Sequence, residues 1–187
     1  MLEIRWHSRA GQGAVTGAKG LDSIVAESGK EVQAFAFYGS AKRGASMTAY
    51  NRIDDKPILN HEKYMSPDYV FILDPGLAFT DDFTANGKDT TKYIITTHLS
   101  KEELIDLVPD LQDIQDRVFI LDCFQIARDT IGRAIPNTPM LGAFMKVSGM
   151  YDLDYFKDKM KGVLKKLPEN IVEANMLAIQ RAYDEVH

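Results

Sequence analysis

Between Leu2 and Glu27 the hydrophobic period changes from two to about 3.6 across one glycine turn, and this constrains the fold more than any other feature. Leu2, Ile4 and Trp6 alternate with Glu3 and Arg5, as in a strand. Ser8-Arg9-Ala10-Gly11-Gln12-Gly13 breaks the alternation. Ala14, Val15, Ala18, Leu21, Ile24 and Val25 then recur at helical spacing, with Lys19, Ser23 and Glu27 on the other side. Gly29 stops the helix. A strand that feeds a helix through a tight turn is the opening unit of an α/β layer. Gly17 and Gly20 sit inside that helix, where each costs about 1 kcal/mol against alanine. Close approach of the helix to the sheet or to another subunit offsets such a cost, so both are read as packing positions.

The rest of the chain repeats the alternation of strands and helices. Glu31 to Tyr38 and Ala45 to Ile53 read as two further strands. Tyr69 to Leu73, Tyr93 to Ile95 and Val118 to Leu121 are short continuous apolar runs, which suit strands covered on both faces. Lys101 to Leu107 reads as a short helix, with Ser100 and Glu103 forming a capping box. Cys123 to Ile131, Leu141 to Met150, Leu153 to Leu164 and the segment from Glu169 onward read as helices. The pattern predicts an α/β fold: a single-domain layered sandwich, residues 1–187, with a largely parallel central sheet, flanking helices and a helical C-terminal part.

Composition narrows the function. The chain is 45% hydrophobic and 26% charged, which excludes the disordered classes. With 22 Lys and Arg against 27 Asp and Glu, the net charge is −5, which argues against a nucleic-acid partner. The basic stretch from Lys157 to Lys166 reads as a solvated helix face. No apolar run approaches the ~18 residues of a membrane span. Met1 to Trp6 reads as a strand rather than a signal peptide, so a cytoplasmic location is expected. The single cysteine, Cys123, forms no internal disulfide. Nor does it supply the four ligands of an iron–sulfur cluster. It reads as a small core residue.

The turn Ser8 to Gly13 is the sharpest motif. Backbone N–H groups at such a turn meet the positive end of a helix and suit phosphate or carboxylate, and Arg9 adds a cation. Thr16 breaks the dinucleotide fingerprint and no phosphate-binding loop of the Gly-Lys type is present. The alternative is a turn needed only for chain reversal. Tyr38-Gly39-Ser40-Ala41-Lys42-Arg43-Gly44 is the second motif. In a parallel sheet it would share an edge with the first turn and form a small electropositive cleft; the alternative is a loop with solvated cations. Arg9, Gly11, Gln12, Gly13, Lys42 and Arg43 are thus the candidate binding residues, for a phosphate-bearing ligand or a subunit surface. The histidines show no metal spacing; His61-Glu62 opens a zinc-protease pattern that Met65 breaks. His7 reads as a hydrogen-bonded structural imidazole, and Asp81-Asp82 as a solvated loop pair. No catalytic or metal-ligating residue is assigned.

The segment Arg5 to Thr16, followed by Gly29-Lys30-Glu31-Val32-Gln33-Ala34-Phe35, Tyr38-Gly39, Arg43-Gly44-Ala45, Asp68-Tyr69-Val70 and the Glu169-Asn170-Ile171 helix, resembles the gamma subunit, or gamma domain, of 2-oxoacid:ferredoxin oxidoreductases. It is most similar to that of the pyruvate enzyme. The resemblance implies a part in converting pyruvate, coenzyme A and oxidised ferredoxin to acetyl-CoA, carbon dioxide and reduced ferredoxin. It implies thiamine diphosphate and magnesium between alpha and beta subunits, 4Fe-4S clusters on a ferredoxin-like delta subunit, and ferredoxin or flavodoxin as acceptor. It gives the gamma part no cofactor of its own and a share in the region where coenzyme A arrives. The chain also lacks the Gly-Asp-Gly…Asn-Asn anchor of thiamine enzymes, so isolated it is expected to be inactive, with an apolar surface that favours homodimers. The family turn is commonly Gly-x-Gly-Gly-Gln-Gly; here Ser8 and Ala10 replace glycines. In the second loop Ser40-Ala41-Lys42 stands where a Pro-Glu version is common. The rival readings are a gamma subunit for another 2-oxoacid, an autonomous nucleotide- or coenzyme A-binding module, and a structural adaptor.

Overall fold

The computed structural model describes residues 1–39, 44–59, 62 and 66–187. Lys42 and Arg43, with Ser40, Ala41, His61 and Met65, lie outside the described residues. The strands are β1 (Leu2–Arg9), β2 (Glu31–Tyr38), β3 (Ser46–Asp54), β4 (Tyr69–Ile72), β5 (Lys92–Thr96) and β6 (Val118–Leu121). The helices are α1 (Ala14–Glu27), α2 (Lys101–Leu107), α3 (Cys123–Ile131), α4 (Asn137–Ser148), α5 (Leu153–Leu164) and α6 (Glu169–Glu185). Two 3-10 segments, Pro75–Phe79 and Pro109–Arg117, complete the element order.

The strands form one six-stranded sheet in the order β2-β3-β1-β4-β5-β6. β1, β4, β5 and β6 run parallel, as expected. β3 is antiparallel to both β1 and β2. The chain between Tyr38 and Ser46 is too short for a parallel crossover, so β2 and β3 close as a hairpin. The hairpin loop does reach the C-terminal end of β1, but through antiparallel pairing rather than the parallel topology expected for it.

Each face of the sheet carries its own core. On one face Ile4, Trp6 and Phe71 pack under α1 and α3 to α6. The Trp6 and Phe71 rings meet edge-on at 4.7 Å. On the other face Val70, Ile72 and Ile95 pack under Pro75–Phe79, α2 and Pro109–Arg117. The polar side of β1 is therefore buried, not solvated. Arg52 Nε meets Glu3 Oε1 at 3.0 Å, Arg5 Nη2 donates to the Phe83 carbonyl at 2.6 Å, and His7 Nδ1 lies 2.9 Å from Asp81 Oδ2. Asp81 was expected in solvent; β1 draws it inward because a buried imidazole needs a partner.

The Ser100–Glu103 capping box forms as the sequence predicts. Helix α4 begins at Asn137, before the expected Leu141. Pro139 lies in its first turn, where no intrahelical N–H bond is lost, so this proline does not break the helix. The lysines of α5 are not merely solvated. Lys159 pairs with Glu27 of α1 at 3.0 Å and Lys161 with Glu173 of α6 at 2.9 Å. Among the described residues no helix is long and apolar enough to cross a membrane.

Candidate functional site

The two glycines of the first turn both take left-handed backbone, Gly11 at φ 94° and Gly13 at φ 83°. Glycine adopts this region without the Cβ clash that other residues meet. Gly13 is the N-cap of α1 and offers no side chain to its first turn, which also lacks an acidic residue. The opening N–H groups of a 14-residue helix are thus left for something else. Asn137, at the start of α4, donates to the Gly13 carbonyl at 3.2 Å and closes the turn from above.

One side of the turn opens into a groove of about 760 Å³. Gly11, Gly13 and Ala14 form its floor; Ile131 and Ile135 form one wall, Leu164, Leu167 and Ile171 another, with Tyr38 and Met47 across from them. Arg133 stands at the rim, exposed, and its guanidinium has no hydrogen-bond or ion-pair partner among the described residues. The volume suits a cofactor-sized ligand. Among the described lining residues there is no carboxylate, imidazole or thiol. Such a groove can hold an elongated apolar body with an anionic group; it lacks an acid–base pair for chemistry.

The other side of the turn is closed by its own contacts. The Arg9 backbone N–H donates to Gln12 Oε1 at 2.8 Å, and Gln12 Nε2 donates to Asp74 Oδ2 at 2.5 Å. Arg9 Nε pairs with Asp74 Oδ1 at 3.3 Å, while Arg9 Nη1 donates to the Gly44 carbonyl at 2.6 Å. Asp74 follows β4, the parallel neighbour of β1. The structure thus separates the predicted residues. Gly11 and Gly13 line the groove; Arg9 and Gln12 face away from it and join the turn to β4 and to the hairpin loop at Gly44. Sequence reasoning missed Asp74, Asn137 and Arg133. Asp74-Pro75-Gly76 carries turn chemistry after the apolar run Tyr69 to Leu73, the one local signal at this position. Gly132, left-handed at φ 74°, marks the stop of α3 just before Arg133.

Burial shifts several titratable groups elsewhere. Burial lowers the His7 and Arg5 pKa values and raises that of the Cys123 thiol, whose residue sits fully buried at the start of α3. A lone buried thiol does not fit an iron–sulfur cluster. No group of three or more His, Cys, Asp or Glu able to hold a metal occurs among the described residues.

Residues 3–185 match the family model described as pyruvate ferredoxin/flavodoxin oxidoreductase. The chain is 40% identical to the pyruvate/ketoisovalerate oxidoreductases common subunit gamma of Thermococcus kodakarensis, over 99% of this chain and 97% of that one. It is 38% identical to the pyruvate synthase subunit PorC of Methanothermobacter thermautotrophicus, over 100% of this chain and 96% of that one. Its fold superposes on the crystal structure of the pyruvate oxidoreductase subunit PORC of Thermotoga maritima with a TM-score of 0.84 and 33% identity, covering 100% and 97% of the two chains.

Proposed function

This chain belongs to the pyruvate ferredoxin/flavodoxin oxidoreductase family, and we propose on that premise that it is the gamma subunit of a pyruvate:ferredoxin oxidoreductase. The observation that carries the reading is the end-to-end likeness, in sequence and in backbone, to subunits named gamma and PorC. The complex converts pyruvate, coenzyme A and two oxidised ferredoxins to acetyl-CoA, carbon dioxide, two reduced ferredoxins and a proton. Thiamine diphosphate with magnesium, held by alpha and beta subunits, supplies the electron sink, and 4Fe-4S clusters on a delta subunit relay electrons to ferredoxin or flavodoxin. This chain's single buried cysteine supports placing the clusters on a companion chain. The assembly works in the cytoplasm.

Its own contribution is binding. The glycine-turn edge formed by Arg9, Gly11, Gln12 and Gly13, together with Lys42 and Arg43, faces the phosphates of coenzyme A. The groove beside it takes the pantetheine arm along its apolar wall, with Arg133 at the rim for an anionic group. Gln12 and Arg9 hold the turn in shape; Gly11 and Gly13 let the ligand approach the backbone. Co-expression with alpha, beta and delta chains tests the reading. Pyruvate- and coenzyme A-dependent ferredoxin reduction is expected with all four chains and lost when this one is omitted. Equal turnover without it, or turnover by the pure chain, refutes the assignment.

A further inference from the structure

At the C-terminal ends of β1 and β4 the chain leaves the sheet in opposite directions. From β1 it passes to α1 on one face, and from β4 to Pro75–Phe79 on the other. Adjacent parallel strands whose connections diverge leave a crevice between them, and in open α/β sheets that crevice is where ligands bind. Here a carboxylate already occupies it. Asp74 Oδ1 takes Arg9 Nε at 3.3 Å and the Gly76 N–H at 3.0 Å; Asp74 Oδ2 takes Gln12 Nε2 at 2.5 Å. A guanidinium and a side-chain amide from the glycine turn and a main-chain N–H from the turn after β4 converge on one anion. That is the donor set of an oxyanion site.

We infer that Arg9, Gln12 and the Gly76 N–H form an oxyanion site filled from within by Asp74, and that a phosphate ester binds there by displacing the Asp74 side chain. The inference rests on the reading of the glycine-turn edge as phosphate-facing, and adds to it a gate. With Asp74 in place the charge of Arg9 is matched and an incoming anion meets a carboxylate. With Asp74 turned out, the same donors carry an unmatched positive charge. The side chains of Asp74 and Arg9 are 18% and 35% exposed, so the pair sits where solvent and ligand reach it. So partly exposed a pair is weak, and a multiply charged phosphate ligand can displace it. Asp74 is in this account a positioning residue: it sets the affinity of the edge and touches no reacting atom.

The test uses the four-chain assembly. Asp74→Asn keeps the side-chain shape and removes the competing charge. The expected result is a coenzyme A KM lower by about three- to fivefold, with stronger inhibition by inorganic phosphate; adding Arg9→Gln to the same chain abolishes the gain. In the wild-type assembly, saturating coenzyme A is expected to lower amide hydrogen exchange in the peptide spanning residues 73–80, because the Gly76 N–H passes from the Asp74 carboxylate to the bound phosphate. An Asp74→Asn assembly whose KM does not fall overturns the gate. If that variant does not assemble, a wild-type peptide whose exchange does not fall overturns it. A wild-type assembly without coenzyme A-dependent turnover overturns the functional reading beneath it; a working assembly that fails either measurement overturns the gate alone.

Discussion

Gly17 lies directly on the indole of Trp6: a Cβ added at Gly17 would stand 3.1 Å from ring atoms Cη2 and Cζ3. The ring cannot retreat. It is fully buried, edge-on to Phe71, and its Nε1 donates to Asn51 Oδ1 at 2.7 Å. Gly17→Ala is therefore expected to destabilise the chain by about 1–2 kcal/mol despite a helix-propensity gain of about 1 kcal/mol. At Gly20 the nearest atom, Met160 Cε, is 3.8 Å away, an ordinary contact. Gly20→Ala is expected to stabilise by about 0.5–1 kcal/mol. Thermal melts of the two variants should move in opposite directions; movement in the same direction would contradict the packing described.

Asn51 passes the same network on to Asp22, donating to its Oδ1 at 2.7 Å and to the Ala18 carbonyl at 2.8 Å. Burial pushes the Asp22 carboxyl up to about 7, partly opposed by the Asn51 hydrogen bond. Unfolded, this group titrates near the ordinary aspartate value. Between about pH 4 and pH 7 the folded chain thus binds the extra proton, and stability falls as pH rises through that window. Above it the loss is complete, on the order of 4 kcal/mol. Asp22→Asn retains an acceptor for Asn51 and removes the titration. Its melting temperature is expected to exceed that of the wild type by a margin that widens from pH 5 to pH 8. A margin independent of pH would show that Asp22 does not titrate in this window.

Asp81 is the acceptor that holds the buried His7, whose Nε2 has no hydrogen-bond partner among the described residues. Asp81→Ala would leave both ring nitrogens unsatisfied, at about 1–3 kcal/mol, well above the usual effect of a loop substitution. Burial also lowers the His7 pKa, so the His7 contribution is present above about pH 6.5, the unfolded value, and is lost as pH falls through the folded value. Chemical denaturation of Asp81→Ala near neutral pH checks the first point. A loss within about 0.5 kcal/mol would return Asp81 to the solvated role expected from sequence.

What was legible in the sequence was local. The change of period at Gly11-Gln12-Gly13, the apolar run at Val118 to Leu121 and the Ser100–Glu103 box are each decided within a few residues. Contacts between distant segments were not. Nothing near Asp74 signals that Arg9 and Gln12 converge on it, since 62 positions separate Gln12 from Asp74. Asp81 reads as a surface acid because its partner, His7, lies 74 positions away. Arg133 gave no signal because an isolated arginine after a helix stop is ordinary on any surface. Only the approach of α3, α4 and α6 to the glycine turn turns its position into the rim of a groove.

Arg133 offers the sharpest separation of binding from stability. Its guanidinium has no partner among the described residues, so Arg133→Ala removes no internal contact of that group, and the melting temperature of the chain is expected to stay within about 1 °C. In the four-chain assembly the same change removes the rim cation from a groove read as coenzyme A-facing. The KM for coenzyme A is expected to rise about tenfold, in line with a charge-assisted hydrogen bond. The rise should shrink with added salt, because an exposed cation is screened within about 10 Å at 0.1 M ionic strength. The KM for pyruvate, read as bound by other chains of the assembly, is expected to stay put. Equal effects on both substrates would mean that Arg133 acts through assembly rather than through coenzyme A.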